Sequence, residues 1–215
     1  MQKIHLIGDS ISLHYGKYLQ QYLDGFAEYS RKGDEIGLRL PVRDNNGGDS
    51  SMVLSYLDEC AEAGLKWDWL IINCGLHDIK TNLETGARQV EPGDYQSNLE
   101  HILNCAGKVS SGQIWIRTTP VVDSIHNIPG VRYRRFAEDV RQYNAIADKV
   151  MLENKTPRID LYRFTVNLGT NIYCDHVHFS ETVRMAQAAF VAGALSAVLQ
   201  LQPEFSSSPN VNCRK

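Results

Sequence analysis

The chain has little cysteine, no excess of either charge and no long apolar run, and each of these lacks excludes a class of protein. Its five cysteines in 215 residues (Cys60, Cys74, Cys105, Cys174 and Cys213) are scattered, odd in number and never spaced Cys-x-x-Cys. That pattern reads as reduced thiols and argues against a disulfide framework or a zinc ribbon. Twenty-two Lys and Arg stand against 25 Asp and Glu, a net charge of −3, which excludes a strongly basic nucleic-acid binder and a polybasic membrane surface. No uninterrupted apolar run approaches the roughly 20 residues of a membrane-spanning helix. The sequence enters directly into Lys3-Ile4-His5-Leu6-Ile7, with no charged leader and cleavage site, so the expectation is a cytoplasmic protein. Neither repeats nor linkers are visible. One domain over residues 1–201 is expected, followed by a flexible tail over 202–215 that holds Pro203, three serines and Pro209.

What the chain does have is 43% apolar residues and an alternation of two patterns. Short β-branched runs at Ile4–Ile7, Leu38–Val42 (weaker), Trp67–Asn73, Gln113–Thr118 and Arg158–Leu161 predict strands. Between them, amphipathic stretches predict helices over Ser12–Leu23, Ser51–Ala63, Tyr95–Ala106, Arg134–Glu153 and Glu181–Leu201. Leu70-Ile71-Ile72 is apolar on both faces, as in a buried parallel strand. Strand-helix alternation implies an α/β fold, a parallel sheet between two helical layers. Two polar, turn-rich segments, Thr81–Asp94 and Val121–Tyr133, follow predicted strands, where open parallel sheets place their ligands.

Gly8-Asp9-Ser10 closes the first strand and opens the first helix. A serine there combines an exposed hydroxyl with a backbone N–H at a helix N-terminus, which suits a nucleophile whose attack creates an oxyanion. Serine also commonly caps helices, and Gly48-Asp49-Ser50 repeats the tripeptide in front of another predicted helix. The five residues from Gly8 to Ser12 are not a Gly-x-Ser-x-Gly elbow, because Ser12 replaces the second glycine. Far downstream, Asp175-His176-Val177-His178 puts a carboxylate and an imidazole on one turn, where Asp175 can hold the tautomer of His178. The same segment leaves a metal reading open, with Asp175, His176 and His178 as ligands. His14 lies one turn after Ser10 and offers itself as an alternative base, but it would project along the helix and a core or surface place is expected. His5 reads as a core or half-buried residue, His101 as part of a helix and His126 as part of a loop. Cys74 and Cys174 flank the segment without a positioned base and read as ordinary thiols. Arg132, Arg134 and Arg135 read as a solvated face, with anionic substrate as the alternative.

In combination these blocks resemble the SGNH (GDSL-type) hydrolase family, from Lys3 to about Leu201. Ile7-Gly8-Asp9-Ser10-Ile11-Ser12 is similar to its nucleophile block. Asn46-Gly47-Gly48-Asp49-Ser50-Ser51 is similar to the second block, which puts Gly48 in the place of the oxyanion-hole glycine and leaves Ser50 non-catalytic. Ile71-Ile72-Asn73-Cys74-Gly75-Leu76-His77-Asp78 resembles the third block, normally ending Gly-x-Asn-Asp, with His77 where the family has an asparagine that donates to the oxyanion. Asp175-x-x-His178-Phe179-Ser180 is similar to the block that supplies the last two triad members.

The resemblance implies a flavodoxin-like, five-stranded parallel sheet in a three-layer α/β/α sandwich. It also implies a carboxylic-ester hydrolase with Ser10 as nucleophile, His178 as base and Asp175 as its orienter. The oxyanion would be held by the Ser10 and Gly48 N–H groups together with His77. No metal or organic cofactor is called for. Tyr133 and the arginines of Val121–Arg135 suit a polar ligand, so the expected substrate is a short acyl ester, acetyl above all, of a polar alcohol such as a carbohydrate. Neither nucleic acid nor a membrane is expected as a partner. Two other readings are a non-catalytic carbohydrate- or nucleotide-binding module in which His77 marks decay, and a metal-dependent phosphoesterase using Asp175, His176 and His178.

Overall fold

The computed structural model describes residues 1–34 and 44–200. Its elements are β1 (Gln2–Ile7), α1 (Ser10–Leu23), β2 (Ala27–Arg31), α2 (Ser50–Glu62), β3 (Trp67–Ile72), β4 (Thr81–Asn82) and α3 (Pro92–Val109). There follow β5 (Ser110–Ile116), α4 (Asp123–His126), β6 (Tyr133–Arg134), α5 (Ala137–Glu153), β7 (Arg158–Ile159), α6 (Leu161–Val166) and α7 (Glu181–Leu199). The main sheet is parallel and five-stranded, in the order β2-β1-β3-β5-β7. Discounting the short β4 and β6, this is the flavodoxin-like order, as expected.

The order follows from where apolar side chains are densest. Ile4, Leu6 and Ile7 of β1, Leu70, Ile71 and Ile72 of β3, and Ile114, Trp115 and Ile116 of β5 are at most 1% exposed. Fully burying a side chain of this size contributes about 1.5–3 kcal/mol, so these three strands take the centre. The helices form two packed groups, α1 with α7 and α6, and α2 with α3 and α5, which make the two outer layers. Averaged over its length, α7 is long and apolar enough to cross a membrane. A search for unbroken apolar runs does not show this, because Glu181, Arg184 and Gln187 interrupt the helix. Here α7 lies against α1, with Val183, Ala188, Val191 and Leu195 buried and Gln187 Nε2 donating to Thr165 Oγ1.

Most expected elements are found with ends shifted by up to three residues, and Leu161, expected in the last strand, opens α6; two further differences have a clear physical cause. The second strand is Ala27–Arg31, an edge strand paired only with β1; its solvent side is polar and only Ala27 is buried, so it carries no apolar run. The expected strand at Leu38–Val42 lies outside the described residues. Helix α5 begins at Ala137 and not at Arg134, because Tyr133 and Arg134 pair antiparallel with Asn82 and Thr81. This β4–β6 ladder clips the two turn-rich segments together beyond the strand ends. Between β1 and β3 the connections leave to opposite sides of the sheet, which opens the crevice where parallel α/β sheets bind ligands.

Candidate active site

Ser10 stands at the C-terminal end of β1 as the first residue of α1, and its neighbour takes over the capping. Asp9 is the N-cap, its Oδ1 accepting from the Ile11 N–H at 2.9 Å, while Ser12 Oγ donates to the Asp9 carbonyl at 2.7 Å. The Ser10 hydroxyl is therefore free for another partner, and its Oγ lies 2.9 Å from His178 Nε2.

His178 and Asp175 ride on a tight loop ahead of α7. An antiparallel bridge between Tyr173 and Phe179 and a bond from the Cys174 N–H to the His178 carbonyl (2.9 Å) close its base. Asp175 Oδ1 accepts from the backbone N–H groups of Val177 (2.8 Å) and His178 (2.7 Å), and Oδ2 lies 2.7 Å from His178 Nδ1. Burial alone would raise the Asp175 pKa; the two backbone donors and the imidazole outweigh it and hold the carboxyl well below its ordinary range. An ionised carboxylate only accepts, so Nδ1 carries the proton and Nε2 is left to accept from Ser10. The arrangement is a nucleophile, a base and an orienter in hydrogen-bonded series. These bonds also engage Asp175 and His178, two of the three residues of the metal reading, and among the described residues no group of three His, Cys, Asp or Glu side chains is placed to hold a metal ion. His176 instead faces His126, ring centroids 5.1 Å apart. The His14 ring lies 4.6 Å from that of His178 and walls it without bonding Ser10, a contact the sequence reading did not foresee.

The second copy of the tripeptide shows why it is not a second nucleophile. Asp49 caps α2 as Asp9 caps α1, but Ser50 is fully buried, with its Oγ accepting from Asn98 Nδ2 at 2.9 Å. Gly47 ties this loop to the first by donating to the Gly8 carbonyl at 2.8 Å. Gly48 follows at φ +74°, where a Cβ would also come within 2.4 Å of Met52 Sδ, so only glycine fits without strain. Its N–H, the expected oxyanion donor, is engaged at 2.9 Å by Asn46 Oδ1. A substrate oxyanion has to share or take that donor from Asn46.

The turn after β3 supplies the third block. Gly75 sits at φ +143°, and a Cβ there would strike Thr118 Oγ1 at 2.4 Å. His77 is half-buried, and burial first, then the nearby Lys80 and Arg135 charges, lower its pKa against the opposing pull of Asp9 and Asp49. The ring is thereby favoured in its neutral form. Lys80 Nζ lies 3.1 Å from His77 Nδ1. Of the three arginines, Arg132 and Arg134 are exposed, but Arg135 turns inward, buried, and donates from Nε to the Leu76 carbonyl. Lys80 Nζ and Arg135 Cζ lie over the Tyr133 ring, 5.0 and 4.9 Å from its centroid. Of these contacts only the spacing of Lys80, three residues after His77, is visible in the sequence. Cys74 is buried, which raises its thiol pKa, so it is inert.

Asp78 is fully buried and accepts the Ser50 N–H at 2.8 Å; burial, countered by the Ser50 bonds, pushes its pKa up from 3.8 to about 6. A carboxyl raised on folding destabilises the fold when ionised, fully above about pH 6 and not at all below about pH 4. A shift of about 2 units corresponds to about 3 kcal/mol. Asp78→Asn keeps the acceptor for Ser50 and removes the charge. Its stability relative to wild type is therefore expected to be greater at pH 7 than at pH 4.5, by about 2 kcal/mol in urea unfolding. An equal difference at both pH values would refute this account of Asp78.

With the geometry in place, comparison with known proteins is decisive. Residues 6–183 match the GDSL-like Lipase/Acylhydrolase family. The chain belongs to this family. As in its serine ester hydrolases, the nucleophile is aligned with a histidine base. Among solved structures, a lipase/acylhydrolase from Enterococcus faecalis superposes with a TM-score of 0.69 at 18% identity, covering 96% of this chain and 100% of its own. An acetylxylan esterase from Geobacillus stearothermophilus gives 0.64 at 17% identity, covering 95% and 97%. A GDSL-like lipase from Bacteroides thetaiotaomicron gives 0.63 at 15%, covering 92% and 89%. At these identities the likeness concerns the fold. No curated protein matches the sequence significantly.

Proposed function

We propose that this GDSL-family hydrolase removes short acyl groups, acetyl above all, from a polar alcohol such as a carbohydrate. The observation that carries the hydrolytic part is the unbroken series from Ser10 Oγ through His178 to Asp175, at 2.9 and 2.7 Å. His178 Nε2 takes the hydroxyl proton as Ser10 Oγ bonds to the ester carbonyl carbon. The oxyanion so formed is received by the N–H groups of Ser10 and Gly48 and by His77. Collapse expels the alcohol, which takes the proton from His178, and a water activated by the same nitrogen releases the acid and restores Ser10. Support for a small acyl group on a saccharide comes from the likeness to an acetylxylan esterase and from the polar Lys80, Tyr133 and His14 around the site.

Three measurements test this reading. A fluorophosphonate is expected to add once to wild type, seen by intact mass, and not to Ser10→Ala; no adduct on folded wild type would favour a binding module. On p-nitrophenyl esters, acetyl is expected to exceed octanoyl in kcat/KM by about tenfold or more. With acetylated oligosaccharides, release of acetate is expected. Preference for octanoyl would overturn the substrate class and leave the triad standing.

A further inference from the structure

We infer that Lys80 is a positioning residue that fixes the tautomer of His77, so that the ring presents Nε2–H as a standing donor to the substrate oxyanion. This rests on the reading above that His77 serves the oxyanion hole. An asparagine amide has its donor on one defined atom. A neutral imidazole has a single N–H that can sit on either nitrogen, and with the proton on Nδ1 the Nε2 lone pair would face the oxyanion and repel it. A histidine at this position therefore needs something that selects the tautomer.

Lys80 meets that need. Its Nζ lies 3.1 Å from His77 Nδ1, and an ammonium has three N–H donors and no lone pair. The bond exists only if Nδ1 accepts, which places the ring proton on Nε2. The lysine is itself held in place. Its backbone N–H donates to the His77 carbonyl at 3.3 Å, its carbonyl accepts from the Gln89 N–H at 2.8 Å, and its Nζ lies over the Tyr133 ring. The next residue, Thr81, pairs with Arg134 in the β4–β6 ladder, so the clip between the two loops sets where Lys80 stands. Arg135 steadies the same turn from the other side through the Leu76 carbonyl, directly before His77. The charged groups acting on His77 are Asp9, Asp49, Lys80 and Arg135, and the two cations disfavour an imidazolium, whose second N–H would break the Lys80 bond.

The test compares Lys80→Met, Lys80→Arg, His77→Ala, His77→Asn and the His77→Asn/Lys80→Met double variant on p-nitrophenyl acetate. Circular dichroism confirms folding, and nitrogen-15 spectra of histidine read the tautomer without turnover. Lys80→Met is expected to lower kcat about tenfold with KM nearly unchanged, and Lys80→Arg, also a pure donor, to restore it to within about threefold. In the His77→Asn background, loss of Lys80 is expected to have no further effect, because an amide has no tautomer to fix. The wild-type spectrum is expected to show Nε2–H at His77. A ring protonated on Nδ1 in wild type, or an equal effect of Lys80→Met in both backgrounds, would overturn the inference. An unchanged kcat in Lys80→Met beside a lowered kcat in His77→Ala would overturn it while leaving His77 in the hole. An unchanged kcat in His77→Ala would instead remove His77 from the hole.

Discussion

Ser10→Ala is expected to lower kcat/KM by a factor on the order of 10⁴ to 10⁶ while leaving the protein folded. Loss of the nucleophile removes the covalent route. What remains is whatever rate the oxyanion donors and substrate binding can lend to a water attack. The fold is expected to be indifferent, because Ser10 does not hold the start of α1. Asp9 caps the helix through its bond to the Ile11 N–H, and Ser12 braces the Asp9 carbonyl. The change removes one side-chain bond, to His178 Nε2, and leaves Asp175 and the loop backbone still holding the ring. Urea unfolding should therefore shift by no more than about 0.5 kcal/mol, as at ordinary surface positions. Turnover within tenfold of wild type in protein free of contaminating esterase would remove Ser10 from the reaction. A large loss of stability would instead assign it the capping role that the structure gives to Asp9.

The contrast between Ser10 and Ser50 marks how far the sequence could be read. Both follow Gly-Asp and both open a helix, so the tripeptide alone does not separate them; the flanking Asn46-Gly47-Gly48 did so only by its resemblance to a family block. The separation comes from what each meets in three dimensions, His178 for Ser10 and Asn98 for Ser50. The central strands were legible because the C-terminal parts of β1, β3 and β5, Leu6-Ile7, Leu70-Ile71-Ile72 and Ile114-Trp115-Ile116, are buried on both faces and read as unbroken apolar runs. The edge strand β2 was not, since one neighbour and one wet side leave Ala-Glu-Tyr-Ser-Arg with no period to follow. Asp175 and His178 were legible together because three residues of one turn carry the whole contact. Backbone-borne features were not. That Asn46 engages the Gly48 N–H, and that the β4–β6 ladder sets Lys80 against His77 and Tyr133, depends on long-range placement of polar loops. Composition alone does not encode such placement.

The second large effect concerns Asp175, where the hydrogen bonds predict an ordering of two variants. Both of its oxygens accept, Oδ1 from two backbone N–H groups and Oδ2 from His178 Nδ1. With its carboxyl held well below the ordinary range, Asp175 stays ionised through neutral and mildly acidic pH. The stability this contributes is present above the unfolded pKa and lost only as strongly acidic pH is reached. An asparagine cannot meet all three donors. With its amide oxygen toward the Val177 and His178 N–H groups, its NH₂ faces Nδ1 and forces that nitrogen to accept. The ring proton then moves to Nε2, which can no longer take the proton of Ser10. Asp175→Asn is therefore expected to lower kcat by about 10⁴ near neutral pH. Asp175→Ala leaves the ring free to sample both tautomers and loses chiefly its orientation. Its kcat is expected to fall no further than that of the asparagine variant, despite removing more of the side chain. Steady-state rates of the two variants, with nitrogen-15 spectra of His178, decide the matter. An asparagine variant much faster than the alanine one would mean that Asp175 works by holding the ring in place and not by choosing which nitrogen carries the proton.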